Sequence, residues 1–196
     1  SFILGLTGSI AMGKTTVSNM FSEIGVPVWC ADTVVNTLYS KNGAATKIFT
    51  KEFPSVLTKT GVDKIKLRNL IHKDNSILKK IEEIVHPLLR GSRNYFAKIH
   101  EKHPIIIYDI PLLFEKNQEK RFDAIVLVTA SEATQKSRVL RRKNMTEKDY
   151  LLIKRNQLNE KEKLKRADFI INTDKSLLDT KRDVAELYQK LKKMTV

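Results

Sequence analysis

The residues Ile3-Leu4-Gly5-Leu6-Thr7, followed by Gly8-Ser9-Ile10-Ala11-Met12-Gly13-Lys14-Thr15-Thr16, decide how the rest of the chain is read. An apolar run ends in two glycines separated by four residues, and a lysine and two threonines follow at once. The stretch matches Gly-x-x-x-x-Gly-Lys-[Ser/Thr] at Gly8, Gly13, Lys14 and Thr15. Each position has a physical task. The glycines permit backbone conformations in which successive N–H groups point inward at phosphate oxygens. The helix that follows presents its positive end to the same anion. Lys14 reaches the β- and γ-phosphates of a nucleotide triphosphate, and the Thr15 hydroxyl can ligate Mg²⁺. A chance match is the alternative, and the strand pattern before it and the helical pattern after it count against one.

Five short apolar runs rich in β-branched residues read as strands: Phe2–Thr7, Val26–Ala31, Ile105–Ile110, Ala124–Thr129 and Phe169–Thr173. Most are continuous rather than alternating, as in a parallel sheet covered on both faces. Amphipathic helical patterns lie between them, for example at 15–24 and 132–143, and a last one at 176–194 opens with Ser176-x-x-Asp179. Residues 33–103 interrupt the alternation with helical patterns (64–72, 76–89) and no convincing strand. The expectation is one domain over 1–196: an α/β/α three-layer sandwich of the P-loop NTPase type, with a five-stranded parallel sheet, a helical insertion and a basic lid.

Composition bounds the partners. The chain has 36 Lys and Arg against 22 Asp and Glu, a net charge of +14. Twelve basic and four acidic residues fall between Lys136 and Arg166. That run is either a solvated helix face or a cationic lid over a triphosphate. One cysteine, Cys30, gives neither an internal disulfide nor a zinc site and points to a reducing compartment. No apolar run reaches membrane-spanning length, and the first residues lack the pattern of a signal peptide. A cytoplasmic protein without a membrane partner is expected. The charge raises a nucleic-acid-binding P-loop protein as a rival, but no recognised reading motif is present and no nucleic-acid partner is expected.

Other residues discriminate among nucleotide enzymes. No Asn-Lys-x-Asp guanine reader occurs, and the chain is short for an ATPase motor. Length, insertion and Arg-rich lid describe a small-molecule kinase. Asp32, after the second strand, could accept a proton from an attacking hydroxyl or cap the next helix. Asp109, ending the third strand, is placed as a Mg²⁺-holding carboxylate or is an ordinary strand-end acid. Arg138, Arg141 and Arg142 fall on one predicted helix, and the i, i+4 pair Arg138 and Arg142 could clamp phosphates.

These motifs together resemble the dephospho-CoA kinase family nearly end to end. The resemblance runs through LTGSIAMGKTTV, VPVWCADTVVNTLY, the His-Pro-Leu of IVHPLL (84–89), DIPLLFE, the Arg138–Arg142 pair and RADFIINT (166–173). It implies ATP-dependent phosphorylation of the ribose 3′-hydroxyl of dephospho-CoA, with Mg²⁺. By it Asp32, Lys14 and Arg142 are catalytic, and Asp32 is the base. Gly8, Ala11, Met12, Gly13, Lys14, Thr15, Thr16, Arg138 and Asn172 bind ATP, and Thr15 and Asp109 serve the metal. Asp32, His86, Pro87, Leu88 and Leu112 meet the acceptor, which the 33–103 insertion binds, and 136–166 is the basic lid. Taken alone, His86 would more often be a structural histidine. The resemblance leaves oligomeric state open, with a monomer expected. Where the family often has Gly-Gly-Ile-Gly-Ser-Gly, this chain has Gly8-Ser9-Ile10-Ala11-Met12-Gly13, so Ala11 needs a φ that a Cβ permits and Met12 is expected to add bulk at the loop's mouth. Cys30 replaces the first acid of an Asp-Ala-Asp, and 61–68 is a shortened acceptor-side segment.

Overall fold

The computed structural model describes residues 1–143 and 145–195. The chain divides into two compact units: Ser1–Trp29 with the residues from His100 onward, and Cys30–Ile99. The second unit covers 30–99, against the expected insertion at 33–103.

In chain order the elements are β1 (Phe2–Thr7), α1 (Lys14–Glu23), β2 (Val28–Cys30), α2 (Ala31–Leu38), α3 (Ala44–Glu52), β3 (Leu57–Thr58), β4 (Gly61–Val62), α4 (Lys64–Lys73) and α5 (Ser76–Ile99). They continue with β5 (Ile105–Asp109), β6 (Ala124–Thr129), α6 (Glu132–Leu140), α7 (Glu147–Asn156), α8 (Glu160–Arg166), β7 (Phe169–Asn172) and α9 (Leu177–Met194). The main sheet is parallel, flanked by helices, with order β2-β5-β1-β6-β7. In register, Leu4 stands between Ile107 of β5 and Ala124 of β6.

The central strands are apolar at successive positions because both their faces are covered. Leu4, Leu6, Ile105, Ile107, Val126 and Val128 pack with Val17 and Phe21 of α1 and Val184 and Leu191 of α9. Gly5 belongs to the other face, where a Cβ would come within 2.8 Å of Leu113 and 3.0 Å of Phe122. Burial of this cluster, about 1.5–3 kcal/mol for each Val, Leu, Ile, Phe or Met side chain, is what holds the sheet to these helices.

The second unit has its own core of Phe49, Phe53, Val56, Leu67, Ile81 and Val85, with Phe49 and Phe53 meeting edge-on at 5.2 Å. Asp63 caps α4 by accepting from the Ile65 and Lys66 amides at 2.8 and 3.1 Å. Two features differ from expectation. A two-stranded antiparallel hairpin, β3–β4, lies where no strand was read, because two-residue strands are too short to show periodicity. Helix α5 continues ten residues past Leu89, through Arg90-Gly91-Ser92, since the apolar positions Phe96 and Ile99 keep helical spacing. Pro87 sits inside it and has no N–H for the Glu83 carbonyl; both residues are exposed, so water can serve that oxygen. Among the described residues, no helix is long and apolar enough to cross a membrane.

Candidate active site

The first unit builds a phosphate cradle directly from the end of β1. Gly8 passes so close under β6 that a Cβ would lie 2.6 Å from the Val128 carbonyl oxygen. Gly13 has φ +90° and is the N-cap of α1, and a Cβ there would press on Thr173. Ala11 also lies in the left-handed region, at φ +59°, the conformation a small side chain tolerates at a cost of about 1–2 kcal/mol. The loop therefore forms with alanine where relatives of the motif often use glycine.

Lys14 opens α1, and its ammonium forms an ion pair with Asp109, the last residue of β5. Asp109 is almost fully buried, and Thr15 and Thr16 are exposed in the first turn of the helix. Lysine and strand-end carboxylate are thus brought together, and Thr15 follows Lys14 in the same turn of α1. The oxygen donors of Thr15 and Asp109 are hard ligands that suit Mg²⁺ carried by a nucleotide. Among the described residues there is no cluster of three or more His, Cys, Asp or Glu side chains able to hold a metal by themselves. Beyond β5, the Thr7 hydroxyl donates to the Pro111 carbonyl at 3.3 Å, and Leu112 is exposed.

Met12 corrects an expectation. Its side chain is 3% exposed and turned inward, where its sulfur accepts the Ala130 N–H at 3.1 Å. Burial of the thioether satisfies an amide at the end of β6 and leaves the mouth of the loop clear. Arg138 donates to the Thr173 hydroxyl at 2.8 Å, to the Thr173 carbonyl at 2.7 Å and to the Ala11 carbonyl at 3.4 Å. It joins the loop to the end of β7. Arg142 does not share a helical face with Arg138, because α6 stops at Leu140, Arg141 is its C-cap, and the Arg142 amide turns back to Val139. A capping box at Thr146 and Asp149 starts α7 five residues further on, and the chain leaves α6 to reach it. Arg142 is exposed on this connection. Asn172 is exposed, and its side-chain oxygen accepts the Asp174 amide at 2.8 Å, shaping the turn after β7.

The remaining predicted residues belong to the second unit. Asp32 is exposed in the first turn of α2, whose N-cap is Cys30, so the helix-cap reading of this carboxylate does not hold. His86 and Pro87 are exposed on α5 and Leu88 is half-buried. A histidine satisfied inside a core is therefore excluded for His86.

Sequence reasoning missed the residues around the outside of the cradle. The Ile10 amide donates to Gln157 and its carbonyl accepts from Gln135, at 3.1 and 2.9 Å. Ser9 bonds Glu160 and Lys163. Lys163 is wholly buried although it sits in Glu160-Lys-Glu-Lys-Leu-Lys-Arg166, a run that reads as solvated. No sequence periodicity marks it.

A parallel sheet carrying a strand–glycine loop–helix cradle, with its lysine on a strand-end aspartate, defines a P-loop nucleotide-binding protein. A family profile described as dephospho-CoA kinase matches residues 2–179. The chain is 44% identical over 191 residues to a dephospho-CoA kinase of Jannaschia sp. (strain CCS1), covering 97% of each. Among solved structures it resembles the dephospho-CoA kinase from Campylobacter jejuni (TM-score 0.70, 25% identity, 99% and 98% coverage). It also resembles TT1252 from Thermus thermophilus (TM-score 0.76, 30% identity, 97% of each chain). The chain belongs to the dephospho-CoA kinase family, whose reaction is the ATP-dependent phosphorylation of dephospho-CoA, the final step of coenzyme A biosynthesis.

Proposed function

We propose that the chain transfers the γ-phosphoryl group of ATP to the ribose 3′-hydroxyl of dephospho-CoA, with the roles divided as follows. The backbone of Gly8–Thr16 cradles the phosphates and Lys14 neutralises the β- and γ-oxygens. Thr15 and Asp109 hold Mg²⁺, which supplies charge neutralisation on the phosphates. Asp32 takes the proton of the 3′-hydroxyl, so that the oxygen attacks phosphorus as the bond to the ADP oxygen breaks. Arg142, on the connection after α6, stabilises charge on the transferring group. Arg138 and Asn172 serve ATP, Arg138 through the loop it holds. His86, Pro87 and Leu88 of the 33–103 insertion, and Leu112 after β5, shape the acceptor site, and residues 136–166 act as the lid. The enzyme works in the cytoplasm.

The observation that carries this reading is the pairing of Lys14 with Asp109 at the start of α1, where the next residue, Thr15, is exposed. The exposed carboxylate of Asp32, which caps no helix, supports its part as base. Asp32→Asn is expected to keep ATP binding in direct titration and to lower kcat about 10²–10⁴-fold. Turnover within a few-fold of the parent would remove Asp32 from the chemistry.

A further inference from the structure

The outer side of the phosphate loop is held by polar groups from the segment 135–163, beside an apolar contact of Ile10 and Ala11 with Val139, Met145 and Tyr150. Ser9 Oγ lies 2.9 Å from Glu160 Oε2 and 3.0 Å from Lys163 Nζ. The Ile10 amide and carbonyl are taken by Gln157 and Gln135. Gln135 is itself fixed by the Tyr150 hydroxyl at 3.1 Å. A cavity of about 370 Å³ adjoins Ser9, Met12, Gln135, Gln157 and Glu160. Ala11 and Ile10 pack on Val139, Tyr150 and Met145, and beside that contact the hydrogen bonds fix the polar groups of Ser9 and Ile10.

Lys163 is the centre of this arrangement. Its ammonium, fully buried on α8, pairs with Glu115 Oε1 at 2.7 Å, and the same oxygen accepts the Leu158 amide at 2.9 Å. One side chain thus joins the returning arm of the lid, the loop after β5 and the second residue of the cradle. A buried pair of this kind is a poor source of net stability, because desolvation offsets most of the attraction. Its geometric effect is large, since a lysine with defined partners holds Ser9 in place before any nucleotide arrives.

We propose that Lys163 is a positioning residue that preorganises the phosphate loop through Ser9 and couples nucleotide binding to the lid arm 157–166. The proposal rests on the assignment of the cradle to ATP. A loop that must be ordered at the moment of binding loses affinity. Coupling of this kind is reciprocal: if the arm steadies the loop, a bound nucleotide steadies the arm.

The test uses the full chain with ATP and dephospho-CoA as probes. Lys163→Met is expected to weaken ATP binding about tenfold in direct titration, to raise KM for ATP in parallel, and to leave KM for dephospho-CoA unchanged. Lys163→Arg is expected to recover most of the loss. ATP should slow amide hydrogen exchange in 157–166 of the parent and do so weakly in Lys163→Met. If Lys163→Met does not fold, Ser9→Ala decides, because it cuts the link at the loop end and leaves the pair with Glu115; it should weaken ATP binding about threefold. A parent that neither binds ATP nor turns over dephospho-CoA would overturn the assignment of the cradle. A parent that does both, with variants that bind ATP as well as it does or that show parental exchange protection, would overturn the positioning role alone.

Discussion

Met12 lies within the phosphate loop, yet its thioether is buried and its sulfur receives the Ala130 amide. Truncation to alanine removes buried apolar surface and leaves that N–H without its partner. Both effects destabilise, together by about 2–4 kcal/mol. For a chain of this length Met12→Ala should lower Tm by roughly 5–10 °C in calorimetry, with KM for ATP changed little. An unchanged Tm with an altered KM would return the side chain to the mouth of the loop. Ala11 makes the complementary point: at φ +59° a methyl group is tolerated, whereas a β-branched side chain would not be. Both residues look like departures from a glycine-rich loop in sequence. In the fold one is a core residue and the other a strained but permitted turn position.

At the scale of elements, α8 is tied to the loop after β5 by Glu115 and Lys163. Burial works against the charged form of Glu115, but hydrogen bonds from Lys163 and from the Leu158 amide, with the lysine's charge, outweigh it and hold the carboxyl below its ordinary 4.5. Such a group binds protons more weakly folded than unfolded. Its stabilisation is complete above the unfolded value and is lost as pH falls through the lower folded one. Glu115→Gln should therefore be less stable than the parent at neutral pH, with the gap closing below about pH 4.5 in urea titrations. A gap independent of pH would show that Glu115 acts through shape alone. This contact was invisible in the sequence, because Lys163 lies in a charged run whose spacing resembles a solvated helix. The strands and the cradle were legible for the opposite reason: apolar runs and fixed glycine offsets are local signals. The β3–β4 hairpin and the last ten residues of α5 were not, since the first is too short for a pattern and the second runs through a glycine and a serine. The shared helical face of Arg138 and Arg142 failed because α6 ends at Leu140, two residues before Arg142.

For the molecule as a whole, the sheet order β2-β5-β1-β6-β7 places the ends of β1 and β5 side by side, bringing Lys14 to Asp109. The excess of 36 basic over 22 acidic residues suits two polyanionic reactants, each carrying linked phosphates, and raises their encounter rate. The central claim is the identity of the acceptor, and an acceptor panel with coupled ADP detection addresses it most directly. Purified protein with ATP and Mg²⁺ is offered dephospho-CoA, nucleosides and nucleoside monophosphates in parallel. ADP release is expected with dephospho-CoA, with a phosphorylated product bearing the new group on the ribose 3′-oxygen, and only background rates with the others. Turnover with a nucleoside monophosphate and none with dephospho-CoA would contradict that claim.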